Sequence, residues 1–527
     1  MILLLHFTMR GEFLFIKHCE KQTVFISFSY VCFQLKERSV TDVVFYSALL
    51  ACYLLIVFTQ MLVVVLENRQ PVKTVAWLLV LFFLPVIGLV IYFFFGRNRK
   101  REHFVSRACA LQLARRSAVR FFQGGFPDLP EEYEPLIRLF KRQSGAFPYA
   151  NNKVRMFVSG AEMLDNLLRD IATARHHVHV ETYIIEDDTM GRAIQEALIK
   201  KAKEGVNVRL IYDDVGCWSV SKRFFKKMKH EGVEVAAFLP VRFPKLTSKV
   251  DFRNHRKIVV IDGVIGYVGG MNFADRYVSA DKNMDVAWRD THMRMIGNGV
   301  AGLQRAFLSD WNVAAGQTIT DNVYYPDEQE VLKTKEEDHE PSLSDSALVQ
   351  IVTSIPTAPW PDIMQGMILA ILRAKKYCYL QTPYFMPTER MLFALQTAAL
   401  SGVDVRLMLP QYADNRFLTW ASRSYLKDVM RAGVRVYLYQ KGFLHAKTLV
   451  CDDTMASCGS TNIDFRSFER NFEVNAFVYD EHFALGMKES FQKDMGYCKM
   501  LNLEMWEARS IWRRIAESLV RLLSPLL

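Results

Sequence analysis

Residues Asn254–Asn272 read NHRKIVVIDGVIGYVGGMN, and residues Leu444–Asn462 read LHAKTLVCDDTMASCGSTN. Both fit H-x-K-x4-D-x6-G-[GS]-x-N. The first copy supplies His255, Lys257, Asp262, Gly269, Gly270 and Asn272; the second supplies His445, Lys447, Asp452, Gly459, Ser460 and Asn462. A single H-x-K carries little weight, because a lone strand histidine is usually a surface or satisfied core residue. A duplicate with every internal spacing kept points to one site assembled from two halves. On a strand, residues two apart share a face, so histidine and lysine in each H-x-K point the same way. The apolar runs Ile258–Ile261 and Thr448–Cys451 suit buried strands, which gives the polar pair a rigid floor.

The repeat extends beyond the motif. HHVHVETYI matches KKYCYLQTPY, ALIKKAKEGVNVRLIYDD matches ALQTAALSGVDVRLMLP, and MKHEGVEVAAF matches VMRAGVRVYLY. Each copy reads strand, helix, Gly-Val turn, strand, helix, Gly-Val turn, strand, then the motif. Two α/β domains with parallel-rich sheets are expected, over residues 152–319 and 347–500. Residues 320–346 between them are polar and acidic, the composition of a surface linker.

Upstream the texture changes. Val43–Leu66 carries no charge over 24 residues and Thr74–Phe95 none over 22. Each is long enough to cross a hydrocarbon core of about 30 Å at about 1.5 Å per residue, and neither has the polar stripe of a globular helix. The short link ENRQPVK predicts a transmembrane hairpin over residues 43–96. Residues 97–151 follow as a basic juxtamembrane segment, with eight Lys/Arg against Glu102 between Arg97 and Arg120. The positive-inside rule then puts both flanks of the hairpin, and the catalytic half, in the cytoplasm. The same cations suit anionic headgroups. Residues 1–42 form an extension without an assignable role, and a cleaved signal is not expected because the cation follows the short apolar core.

The chain has 527 residues and a formal net charge of +10, which calls for more than one domain and favours an anionic partner. Its nine cysteines are scattered and never C-x-x-C, which reads as reduced thiols rather than a disulfide framework or zinc site.

Two facing motif copies would set two imidazoles, two ammonium groups and two amides around one cavity. That inventory suits a phosphodiester. Cations and donors meet the charge that grows on the phosphoryl oxygens, with Asn272, Ser460 and Asn462 as neutral phosphate-binding candidates. One neutral imidazole can attack phosphorus to give a phosphohistidine, while the other, protonated, serves the leaving oxygen and then the acceptor alcohol. The scheme requires neither metal nor cofactor, and the lysines take the part of a divalent ion.

At these residues the chain resembles the phospholipase D superfamily, over about Val154–Cys498, and within it the bacterial cardiolipin synthases. ENRQPVKTVAWLLVLFFLPVIGLVIYFFFGRNRK, WRDTHMRMIG, QTPYFMP, RNFEVNAF and the terminal RLLSPLL look like that family. The resemblance implies two α/β sandwich repeats related by a pseudo-twofold axis. It also implies a bacterial cell-membrane enzyme that joins two phosphatidylglycerols into cardiolipin and releases glycerol. Phosphatidylglycerol and other anionic phospholipids are then its partners, and nucleic acid is not. A carboxylate beyond each motif, Asp290 and Glu473, is implied to orient an imidazole. Asp262 and Asp452 then belong to the candidate catalytic set as structural rather than proton-transferring members. The resemblance favours His255 as nucleophile and His445 as acid/base. Gly270 departs from the common G-S and removes one hydroxyl donor.

Other signals weigh less. His176, His177 and His179 read as an exposed strand start rather than a metal site. GNGVAG (Gly297–Gly302) reads as a turn into a helix rather than a nucleotide loop. Glu181, Tyr183, Gln381 and Tyr384 lie near strand ends and are candidates for the pocket or, equally, for core or rim packing. Residues 501–527 form an amphipathic C-terminal helix with Ile511, Ile515, Leu519, Leu522 and Leu526 on one side, suited to a membrane interface or to docking on the protein body. Competing activities are a lipase with water as acceptor and a nuclease; the hairpin and the lack of a basic-aromatic channel disfavour the nuclease.

Overall fold

The computed structural model describes residues 4–7, 13–19, 22–27, 40–67, 71–92, 96, 104–123, 127–241, 251–280 and 286–525. They fall into two compact units, Met1–Asn98 and Arg99–Leu527. In the first unit, strands Leu4–Phe7, Phe13–Cys19 and Gln22–Ser27 form an antiparallel meander. The helix Val40–Leu66 contains the candidate membrane span Val43–Leu66. Its Leu55, Phe58 and Leu66 side chains lie more than half exposed, the outward apolar surface that lipid accepts. Thr59 donates its hydroxyl back to the Leu55 carbonyl at 2.7 Å, which hides a polar group in an apolar stretch.

The second apolar segment is not the continuous helix that composition suggests. Helix Pro71–Phe83 ends at Leu84 (φ −127°), and helix Pro85–Ile91 returns so that Tyr92 packs edge-on to Trp77 at 5.2 Å and donates to Glu67 at 3.1 Å. Pro85 has no N–H to give and pushes the preceding residue out of the α region. Phe93–Phe95 of the expected span, the cations from Arg97 to Arg101 and Leu526 of the C-terminal stripe lie outside the described residues.

In the second unit one 16-stranded sheet runs through both repeats. Its seam is the antiparallel pair Pro148–Phe157 with Ser344–Ser354. Outward from the seam the first half continues through His292–Ile296, Ile265–Gly269, Ile258–Ile261, His177–Thr182, Asn207–Asp213 and Glu234–Phe238. The second half continues through Asn471–Tyr479, Met455–Gly459, Thr448–Cys451, Tyr377–Gln381, Asp404–Pro410 and Arg435–Tyr439, then adds Cys498–Met500. The orders correspond strand for strand, which is the pseudo-twofold of the duplicated sequence. Along this strand order the parallel pairs join three strands in each half, and the remaining neighbours are antiparallel. The motif strands pair antiparallel because a tight turn at Asp262–Val264, and another at Asp452–Thr454, is too short for a crossover.

Helices Gly160–Thr173, Thr189–Lys203 and Lys222–His230 cover one face of the first half. Ser159 and Glu162 open the first of these in capping-box order, with the Ser159 hydroxyl accepting from the Glu162 amide. On the other face, Val300–Ala315 and Glu481–Met495 each reach across the seam. The first packs on Ser344–Ser354, and Gly302 permits it, since a Cβ there would sit 2.8 Å from Ile351 Cβ. The second packs on Pro148–Phe157. Val154, Val260, Leu303, Ile351, Val474 and Phe483 therefore share one core, and the two repeats form one body. The acidic stretch 320–346 carries structure of its own: helix Glu328–Glu337, then Asp338 bound by Arg294 and Lys153, and Glu340 bound by Arg155.

The motif aspartates sit at the far end of the motif strands from the histidines, in the left-handed region (φ 52° and 54°) that aspartate tolerates. Asp262 accepts from the amides of Arg175, His176 and His177, and Asp452 from those of Lys375, Lys376 and Tyr377. Each carboxylate thus pins the start of the neighbouring strand. Asp452→Ala leaves three amides without their acceptor and is expected to cost about 2–4 kcal/mol. Thermal unfolding of detergent-solubilised protein measures this as a lowered Tm.

Candidate active site

The chain just ahead of each motif histidine lies on the other half. Arg253–Asn254 pairs parallel with Asn471–Phe472, and the His255 amide donates to the Phe472 carbonyl at 3.0 Å. In the second copy Leu444 bridges Arg289, and the His445 amide donates to the Arg289 carbonyl at 2.7 Å. Each pairing brings a histidine level with the next residue of the opposite strand, a carboxylate. His255 Nδ1 lies 3.1 Å from both Glu473 oxygens, and His445 Nδ1 lies 2.6 Å from Asp290 Oδ2. The orienting carboxylates are thus exchanged between the halves. With Nδ1–H donating to a buried carboxylate, each Nε2 keeps its lone pair for chemistry.

The carboxylates are held in different ways. Glu473 accepts from the Ser460 hydroxyl and from Asn471 Nδ2. Asp290 accepts the Thr291 amide at 2.7 Å. A Cβ at Gly270 would stand 2.2 Å from Asp290 Oδ1, so the departure from serine makes room for this carboxylate. Ser460, expected as a phosphate donor, is wholly buried and spends its hydroxyl on Glu473 and the Val474 backbone. Asn272 is bound to the Ile184 amide and the Tyr277 hydroxyl. The buried Asn462 keeps an unpartnered Oδ1.

Charge is concentrated here without solvent. Burial, then Lys447, draws the Lys257 ammonium down to about 7, and burial draws Lys447 down to about 8. Burial, then Lys257, lowers the His255 imidazole, with Lys447 of the other half adding to it. Burial, then Lys447, takes His445 down to about 3, with Lys257 adding to it. Each imidazole thus feels the lysines of both motifs. Burial opposes ionisation of Asp290 and Glu473, but Lys447 and His445 for the first, and His255 and Lys257 for the second, outweigh it and hold both carboxyls low. Lowered from their ordinary value, both imidazoles favour the neutral form.

Aromatic rings wall the pair. Tyr183 stands edge-on to His255 at 4.9 Å and under the Lys257 ammonium at 5.2 Å. Tyr277 reaches His445 Nδ1 with its hydroxyl at 3.2 Å, and Trp288 lies 5.4 Å from that imidazole. Of the four pocket candidates Tyr183 is the one seen against the motif histidine and lysine. Glu181 is bound by Asn254, Gln381 donates to Asp494, and Tyr384 donates to Asp414. Tyr277 and Trp288 had no signal in the motif spacing, although Trp288 lies two residues ahead of Asp290. Buried Arg256 was also missed; it joins the halves by donating to the Glu473 and Ser354 carbonyls and pairing with Asp310.

The upstream histidines are not an exposed strand start. His177 and His179 are fully buried and share Gln304, at 2.9 Å each, and His179 stacks on Phe307 at 4.4 Å. Gly297–Gly302 is a turn into helix Val300–Ala315, its Gly299 amide donating to Asn152.

Two lobes that lend each other carboxylates around paired H-x-K motifs define a phospholipase D-like phosphotransfer fold. A solved phosphatidylserine synthase from Haemophilus influenzae Rd KW20 shares that fold, with a TM-score of 0.57 at 15% identity, covering 75% of this chain and all of the other. The family model described as cardiolipin synthase, PLD-like domain, matches residues 167–311 and 367–495, and a phospholipase D-nuclease N-terminal model matches residues 50–97. The major cardiolipin synthase ClsA of Bacillus subtilis (strain 168) is 38% identical over 488 residues, 90% of this chain and 98% of its own. A cardiolipin synthase of Oceanobacillus iheyensis is 39% identical over 475 residues, 88% of this chain and 96% of its own. The chain belongs to the cardiolipin synthase family of phospholipase D-like proteins.

Anion affinity of the site should follow the lysines. They are charged below their lowered values and lose their protons as pH rises through about 7 to 8. Inhibition by inorganic phosphate or tungstate is expected to weaken above pH 7, by up to about tenfold per pH unit for each proton lost. Inhibition constants measured from pH 6 to 9 check this; a flat profile would contradict it.

Proposed function

We propose that this chain transfers a phosphatidyl group from one phosphatidylglycerol to another and releases glycerol. The observation that supports this most is the pair of buried imidazoles, each aimed by a carboxylate of the opposite half and flanked by a lysine. His255 Nε2 attacks phosphorus, the bond from phosphorus to the glycerol oxygen breaks, and that oxygen takes a proton from His445 Nε2. The phosphate anion beside His445 raises its proton affinity on binding and offsets the burial that lowers it. The acceptor phosphatidylglycerol then gives its hydroxyl proton back to His445 and attacks the phosphohistidine, which frees His255. Lys257 and Lys447 stabilise the charge on the non-bridging oxygens.

His255 and His445 are nearly buried, with 8% and 6% exposure. We place the protein at the bacterial cell membrane, held by Val43–Leu66, with the catalytic lobes in the cytoplasm on the strength of the cations around Arg107–Arg120. A second pass requires Pro71–Ile91 to straighten across the Leu84–Pro85 break, since Pro71–Phe83 alone spans only about 20 Å.

Purified protein given phosphatidylglycerol in micelles is expected to yield cardiolipin and glycerol with or without chelator. Phosphatidic acid as sole product would mean hydrolysis instead. His255→Ala and His445→Ala should each abolish turnover. With phosphorus-labelled substrate, an acid-labile, base-stable label is expected on the parent and absent from His255→Ala.

A further inference from the structure

The C-terminal helix Ile511–Arg521 docks on the body by its polar side. Glu517 is buried and takes both guanidinium nitrogens of Arg509, at 2.7 and 2.9 Å. Arg521 pairs with Asp428 at 2.9 Å, donates to the Ser424 carbonyl and lies over the Tyr425 ring at 4.1 Å. Among its apolar residues Val520 joins this contact. The opposite side carries Trp512, Ile515, Leu519 and Leu522, exposed by 76%, 42%, 60% and 76%. A surface helix in water turns its apolar stripe inward and its polar face out. Here the orientation is reversed, and ion pairs enforce it.

The helix packs beside helix Arg416–Met430, which carries exposed rings of its own. Phe417 and Trp420 are 54% and 38% exposed, their rings 6.0 Å apart. Arg513 lies close enough to Tyr412 to bear on its hydroxyl, and Arg513 and Arg514 are exposed beside the stripe. A tryptophan at the edge of an apolar face flanked by arginines is the composition of a helix lying in a headgroup layer.

We infer that this face is a second membrane contact, separate from the apolar N-terminal helix, which seats the helix pair in the interface of an anionic phospholipid bilayer. The charge of the arginines and the chain's net charge of +10 single out an anionic leaflet over a second copy of the protein, whose matching face would bring the same arginines together. The reading of phosphatidylglycerol as substrate enters only in the choice of lipid for the test.

Full-length protein is reconstituted in vesicles of phosphatidylglycerol and phosphatidylcholine, with or without bromine on the acyl chains. Emission of the parent minus that of Trp512→Phe isolates Trp512. Bromine is expected to quench that difference by about half or more, for a ring placed about 5–10 Å into the headgroup and acyl boundary. A difference spectrum that bromine leaves unchanged overturns the inference. So does a helix face that a second copy covers, seen as a detergent-solubilised oligomer that Ile515→Glu with Leu519→Glu converts to monomer. The same double variant is expected to raise the apparent KM for vesicle substrate by about tenfold while kcat on dispersed short-chain substrate stays within about twofold. Equal loss on both substrates would mark a structural role and also overturn it. The quenching needs no turnover, so its outcome stands apart from that of the proposed reaction.

Discussion

The contact on which this molecule depends is the exchange of carboxylates between its halves. Glu473 belongs to the second repeat and holds His255 of the first; Asp290 belongs to the first and holds His445 of the second. All four groups are buried, so none can trade its partner for water without a cost of several kcal/mol. Neither repeat can build a working imidazole alone. The shared sheet, the helices that reach across the seam and Arg256 all keep these two contacts in register.

The same burial explains the electrostatics. Two lysines and two carboxylates occupy one dry space, and the lysines, drawn to about 7 and 8, are only loosely protonated. An arriving phosphodiester would add negative charge beside the lysines and strengthen their hold on the proton, so anion binding and charging of the lysines are coupled. Burial and the lysines lower His255 and so favour the neutral form that a nitrogen nucleophile needs. The two halves are not identical: Gly270 with Asp290 and Tyr277 stands where the other half has Ser460 with Glu473 and Tyr183. That asymmetry gives the two histidines different surroundings, in keeping with the different roles proposed for them.

Much of this was legible in the residues. Duplicated spacing announced two lobes and one site, and the apolar run Val43–Leu66 announced a membrane span. What escaped was whatever depends on tertiary placement. H-x-K spacing does not show that a carboxylate serves the opposite half, nor that Ser460 is spent on holding it. Alternation in HHVHVETYI suggested an exposed strand start, whereas Gln304 of a distant helix satisfies His177 and His179 in the core. The second apolar run looked uniform by composition, yet Pro85 divides it. The C-terminal stripe was visible as periodicity, but only the ion pairs of Glu517 and Arg521 show which side faces out.

A structure of the full-length protein with vanadate or tungstate bound tests the central claim most directly. The account predicts one oxyanion between the lobes, with His255 Nε2 and His445 Nε2 on opposite sides of the central atom and Lys257 and Lys447 both on its remaining oxygens. An anion held by one motif alone, with the other imidazole out of reach, would contradict it.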